Sequence, residues 1–473
     1  MCGCFSDPAY RIKGVRGGRE RRVPFCTHNP HNRQTADSSA AQLRLVFVAM
    51  GLRWLWRHRV SGLLLVLALL LLLTLLATHS LQNNRRPTAD RRSQKKAAEK
   101  HTSPLAPNTQ KPPKHPPTAR AERRRAHPPV VFLKTHRTGS STVQNILFRF
   151  GERESATFAF PSRTYQFNYP DRFRAVFVDE LPEGSSQFDL LCSHMRLDLR
   201  EVRKVMPQNA VFITLLRDPV KTFESVFGYY TSTFPAFFSA YRASANKGKS
   251  ALAVFLDSPE TFWDPKDPGN GLAKNPMSFD MGLNNQKWNG SWPEDLAQLE
   301  EAFHLVMIAE HFDESLVLLG ALLGLEHEDL AYLGLNARAR NSVTELDKNM
   351  QAKIRSWNVL DTLLYDFFVQ VFWEKAAQFG LDRLKAEVTR LRASTENIRR
   401  KCVSRAEVPP GDLEDLLRPW QTETATIMGY EVRGNLSLHD QGFCVRMMLP
   451  ELQYHSHLYF KQYGRDMRAA PAD

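Results

Sequence analysis

Residues 130–150 read VVFLKTHRTGSSTVQNILFRF, and the hydrophobic period changes once within them. Val130, Val131, Phe132 and Leu133 form a continuous apolar run that suits a strand buried on both faces, whereas Val143, Ile146, Leu147 and Phe150 fall at helical spacing. The polar residues 134–142 between them must therefore be a strand-to-helix turn. A chain that starts its globular part this way is committed to a parallel sheet flanked by helices. The unpaired N–H groups and partial positive charge of a helix N-terminus favour an anion, and Lys134, Arg137 and the hydroxyls of Thr138, Ser140, Ser141 and Thr142 suit a phosphate or sulfate cradle. The turn lacks GxxxxGK[ST], so it is not a Walker A loop. An ordinary βα turn with capping serines is the other reading of this stretch alone.

The remaining apolar runs alternate in the same manner. Residues 188–194, 210–216 and 304–310 read as strands, 197–206 and 220–230 as helices, and 344–401 as mostly helical. Ligands of such a sheet collect where its strands end. Arg217 stands at the end of one strand, ahead of Asp218 and Pro219, and Ser225 projects about two turns along the next helix. An arginine fork and a hydroxyl so placed can share one phosphate, although Asp218 as a helix cap and Arg217 as a surface cation would give the same tripeptide.

Charge divides the 473-residue chain. Residues 1–59 hold 11 Lys/Arg against 3 Asp/Glu, and residues 79–129 hold 13 against 3, so the whole-chain +13 leaves residues 130–473 slightly acidic. The basic balance belongs to the tails, and no nucleic-acid partner is implied. Residues 60–78 are uncharged and leucine-rich, long enough to span a bilayer. Arg53, Arg57 and Arg59 precede this span directly, while the first basic residues after it are Arg85 and Arg86, which places the N-terminus in the cytosol. The expected layout is a cytosolic tail (1–59), a signal anchor (60–78), a Pro-rich basic stem (79–129) and a luminal domain (130–473). Because Met50 opens a short tail of its own, the status of 1–49 stays open.

Beyond the span lie only Cys192, Cys402 and Cys444. Cys192 sits in a strand-like run and is expected to be a buried thiol, leaving Cys402 and Cys444 as the disulfide. Asn289 and Asn435 begin glycosylation sequons, usable in a lumen. No HExxH or Cys/His cluster calls for a metal.

Taken in order, LKTHRTGSST, LCSHMR, LLRDPVKTFES, AEHFDESLVLL, LNARAR, RPWQ and MGYEV resemble the galactose 3-O-sulfotransferase family over about residues 130–460. The resemblance implies a P-loop-like sulfotransferase fold behind one transmembrane helix. It also implies a Golgi type II membrane location and 3′-phosphoadenosine 5′-phosphosulfate (PAPS) as donor. The acceptor it implies is β-galactose, on a galactosylceramide-type glycolipid or on a glycoprotein glycan. By position, Lys134, Thr135, Arg137, Thr138 and Gly139, with Ser140, Ser141 and Thr142, become the 5′-phosphosulfate loop. Arg217 and Ser225 become the 3′-phosphate contacts. Arg137 stands where the family pattern has lysine. Lys134 and Arg137 are expected to neutralise the departing phosphate, and His136 and His194 are the catalytic candidates, His136 as base and His194 orienting the acceptor. The acceptor pocket is expected from loops such as 234–283, which carry no legible code. A homodimer is compatible with the layout. A luminal nucleotide kinase and an inactive glycan-binding relative are the competing classes; the missing Walker A sequence argues against the first.

Overall fold

The computed structural model describes residues 127–467. The expected cytosolic tail, the apolar span 60–78 and almost all of the stem lie outside the described residues. Among those described, no helix is long and apolar enough to cross a membrane.

Four parallel strands form the central sheet: β1 (Val130–Leu133), β2 (Leu190–Leu191), β3 (Val211–Leu216) and β4 (Leu305–Ile308), in the order β2-β1-β3-β4. Every residue of β1, β3 and β4 is buried, as their unbroken apolar sequences require of strands covered on both faces. The expected strand 188–194 is a ladder only at Leu190–Leu191; beyond it His194 makes single bridges to Lys134 and Gln166. The segment after the first helix runs beside this edge, Phe158 bridging Leu190, and it takes the place of a longer ladder.

Helix α1 (Ser140–Glu154) follows β1 and buries Val143, Ile146, Leu147 and Phe150, the residues at helical spacing. Its cap, Gly139, has φ 94°, a left-handed conformation that costs a residue with a Cβ. Helix α2 (Leu199–Val205) is capped by Asp198, and α3 (Pro219–Tyr230) has Pro219 in its first turn and Asp218 accepting from the N–H groups of Val220 and Lys221. The short α4 (Pro276–Asp280) precedes β4, after which come α5 (Phe312–Leu323), α6 (Val359–Phe379) and α7 (Leu381–Cys402). An antiparallel pair, β5 (Val403–Val408) and β6 (Gly429–Val432), leads to α8 (Leu438–Met448) and α9 (Glu451–Tyr463). Cys402 and Cys444 form the disulfide, tying the end of α7 to α8, and Cys192 is a buried free thiol.

Residues 234–283 do not behave as loops. Phe237, Phe255 and Leu272 pack with Phe223 and Phe227 of α3 and with Trp357 in one buried cluster, because the aromatic residues recur at helical spacing.

Connections from β1 lead to β2 on one side of the sheet and those from β3 lead to β4 on the other. The C-terminal ends of β1 and β3 therefore flank a topological switch point, where an open α/β sheet leaves a crevice. Helix α9 packs on α1 and brings its first residue to that crevice.

Candidate active site

Two left-handed residues, Arg137 (φ 58°) and Gly139, bend the turn after β1. Its hydroxyls mostly hold the bend itself. Thr135 Oγ1 donates to the carbonyl of Leu215 (2.5 Å), Ser140 Oγ to that of Thr135 (2.6 Å), and Thr138 Oγ1 lies 2.9 Å from Thr135 Oγ1. Thr142 Oγ1 accepts from the N–H of Leu335 (3.1 Å), and Ser141 Oγ donates to Glu451 (3.3 Å). The N–H groups of Thr138, Gly139, Ser140 and Ser141 have no protein partner among the described residues. What the turn offers an anion is thus its backbone donors, at the N-terminus of α1.

Cations surround these donors. Lys134 is 1% exposed, with Nζ 2.7 Å from His194 Nε2 and 2.9 Å from Glu451 Oε2. Burial lowers its pKa, and the Glu451 carboxylate opposes that shift. Arg137 donates from Nε to Ser225 Oγ (3.0 Å), and its guanidinium lies 4.2 Å from the centre of the Tyr229 ring. Burial lowers the Arg137 pKa to about 10, which keeps it charged near neutrality. Arg217 donates from Nη1 to the Arg137 carbonyl (3.0 Å), so Arg137, Arg217 and Ser225 form one connected group. Arg338, paired with Glu224, adds a third guanidinium close enough to disfavour the charge of both.

The two histidines stack, with ring centres 3.9 Å apart, yet differ in their partners. His194 Nδ1 donates to the Lys134 carbonyl (2.8 Å) and Nε2 accepts from Lys134 Nζ, so both nitrogens are engaged. Burial first, then His136 and Lys134, holds its pKa well below the ordinary histidine value. His136 instead faces Asp280: Nδ1 lies 3.0 and 3.1 Å from the two carboxylate oxygens, and its backbone N–H donates to Oδ2 at 2.7 Å. His136 Nε2 has no protein partner among the described residues, so one ring nitrogen can serve a substrate.

Lys134, His136, Arg137, His194, Arg217, Ser225 and Glu451 open on one cleft of about 1150 Å³. Its lining includes the cations Lys134, Arg137, Arg217 and Arg338 and the large side chains of Leu346, Trp420, Met428 and Tyr430. No residue of 234–283 lines it, and that segment contributes Asp280 from below. The sequence had placed Lys134, His136, Arg137, His194, Arg217 and Ser225, and the fold gathers all six. Asp280, Tyr169, whose hydroxyl donates to Asp280 (2.7 Å), Glu451 and Arg338 were not foreseen. Arg338 lies in the LNARAR motif, which carried a signal but no role; Glu451 lies 317 positions from its partner Lys134 and has no local signature.

Residues 55–462 match the family model described as galactose-3-O-sulfotransferase. The chain is 39% identical over 331 residues to the galactosylceramide sulfotransferase of Homo sapiens, covering 69% of this chain and 76% of that protein. It is 39% identical over 347 residues to the galactose-3-O-sulfotransferase 2 of Sus scrofa (71% and 84%) and 38% identical over 368 residues to the galactose-3-O-sulfotransferase 3 of Homo sapiens (75% and 83%). With a basic, N–H-lined turn at the switch point and a family match over most of its length, the chain belongs to the galactose-3-O-sulfotransferase family.

Proposed function

We propose that this protein transfers a sulfuryl group from PAPS to the 3-hydroxyl of a β-galactose, with galactosylceramide as its acceptor. The observation that carries the reading is that an anion cradle of backbone N–H groups and cations shares one cleft with a histidine whose Nε2 is open. PAPS supplies the sulfuryl group and a leaving phosphate. Lys134 and the backbone donors of the turn hold the 5′-phosphosulfate, and Arg217, with Ser225 and Arg137, holds the 3′-phosphate. His136 Nε2 removes the proton of the galactose hydroxyl as its oxygen bonds to sulfur and the bond from sulfur to the phosphate oxygen breaks. Lys134 and Arg137 neutralise the charge that gathers on that oxygen, the same electrostatic task as in phosphoryl transfer. His194, with both nitrogens engaged, holds the Lys134 ammonium in place.

Exposed apolar side chains favour a glycolipid acceptor: Val343 and Trp420 of the cleft are 47% and 66% exposed, and Leu416, which shares a second hollow with Trp420, is 52% exposed. The polar sugar would enter the cleft while an apolar aglycone met exposed apolar side chains such as Trp420. Anchorage through residues 60–78, with residues 130–473 in the Golgi lumen, would keep the enzyme at the membrane that carries glycolipid acceptors. Incubating the full chain in detergent with radiolabelled PAPS and either galactosylceramide or N-acetyllactosamine tests the reading. Label should appear on the glycolipid. Label on N-acetyllactosamine alone would move the acceptor to glycoprotein glycans, and label on neither, with PAPS still bound, would reject the enzyme.

A further inference from the structure

We infer that Asp280 is a positioning residue of the reaction, holding His136 in the tautomer with the proton on Nδ1 so that bare Nε2 faces the substrate. The inference rests on the proposed role of His136 as base. Asp280 is 0% exposed, and a carboxylate so buried must be satisfied by donors. It accepts from the His136 backbone N–H (2.7 Å), from His136 Nδ1 (3.0 Å) and from the Tyr169 hydroxyl (2.7 Å). Among the described residues its one ion-pair partner is His136 itself. An acceptor that served only to pin the turn would need the backbone N–H alone. The second contact, to Nδ1, decides which ring nitrogen carries the proton.

The carboxylate is itself fixed from behind. Asp361 of α6 accepts from the N–H groups of Met277 (3.0 Å) and Ser278 (2.7 Å) and from Ser278 Oγ (2.7 Å), gripping the start of α4. Asn275, just before α4, accepts at Oδ1 from the N–H groups of Leu360 (3.0 Å) and Asp361 (3.2 Å). The carbonyl of Asp280 receives the N–H of Leu197 at 2.9 Å. A five-residue helix held at both ends carries Asp280 to the ring, and such support is what an oriented base requires.

Asp280→Asn separates orientation from folding. With its one acceptor oxygen on the backbone N–H, the amide puts its NH₂ in the place of Oδ1, from which it can donate to a bare Nδ1 and so favour a proton on Nε2, the atom that must receive one. Full-length wild type, Asp280→Asn and Tyr169→Phe are compared for kcat, for binding of adenosine 3′,5′-bisphosphate, for melting temperature and for histidine tautomer by long-range ¹H–¹⁵N spectra. His136→Ala identifies the resonances. Wild type should carry the proton on Nδ1 and Asp280→Asn on Nε2. In Asp280→Asn kcat should fall about 10²–10⁴-fold, as for loss of a base, with nucleotide binding within about twofold. Tyr169→Phe should keep the wild-type tautomer. Wild-type His136 protonated on Nε2, an unchanged kcat in Asp280→Asn, or parallel losses of kcat, nucleotide binding and melting temperature would each overturn the role. If the wild type transferred no sulfate while the tautomer moved as expected, the orientation would stand and the proposed reaction would fall.

Discussion

Arg217, proposed to hold the 3′-phosphate, also holds the turn proposed to bind the donor. Its guanidinium reaches the Arg137 carbonyl, and Arg137 in turn reaches Ser225. Arg217→Ala should weaken PAPS binding about ten- to a hundredfold, the equivalent of about 1.5–3 kcal/mol for a charge-assisted contact, with a smaller effect on acceptor KM. Calorimetric titration checks this, and unchanged donor affinity would leave Arg217 with only its hold on the turn. Lys134 gives a second test. Burial lowers its pKa and Glu451 opposes the shift, so Glu451→Gln should let the ammonium lose its proton at lower pH. Donor affinity then falls as pH rises in both proteins, with the midpoint lower in the variant; identical midpoints would contradict the pairing. These two residues also mark what the sequence could say. Lys134, His136 and Arg137 were legible because a strand, a polar turn and a helix follow one another within 21 residues. Asp280 lies 144 positions from His136, and nothing local distinguishes it from a capping or surface aspartate.

At the scale of elements, β1, β3 and β4 were legible because burial on both faces leaves unbroken apolar runs, and α1 and α3 because their apolar spacing and the Asp218-Pro219 start are local signals. The segment 234–283 was misread as acceptor loops because several short helices with Gly and Pro between them look like loop in sequence, although their phenylalanines form a core. The grip of α6 on α4 was equally invisible, since it runs through a buried carboxylate. That carboxylate makes a prediction. Burial pushes Asp361 from 3.8 up to about 7. A folded-state pKa raised above the unfolded value means that its contribution to stability is fully present below about pH 4 and is lost as pH rises through about 7. Asp361→Asn stays neutral throughout. Thermal melts between about pH 4 and pH 8 should therefore show wild type losing stability relative to the variant as pH rises. Parallel curves would mean that the carboxylate is ionised in the fold across the range.

For the whole molecule, the proposal of an anchored enzyme whose domain faces a lumen rests on the basic tails, the apolar sequence 60–78 and the slightly acidic residues 130–473. Sealed Golgi vesicles treated with protease should protect residues 130–473 until detergent is added, and Asn435, which is exposed, should carry glycan. Digestion without detergent would reverse the orientation. Within the domain, the proposed donor cradle and base meet because the strand order reverses between β1 and β3, and helix α9 brings Glu451 to the same crevice. The decisive measurement is single-turnover transfer of radiolabelled sulfate from PAPS to galactosylceramide by wild type and His136→Ala, with PAPS binding measured on the same preparations. Loss of about 10²–10⁴ in rate with donor binding retained is the predicted result; a near-normal rate in His136→Ala would contradict the assignment of the base.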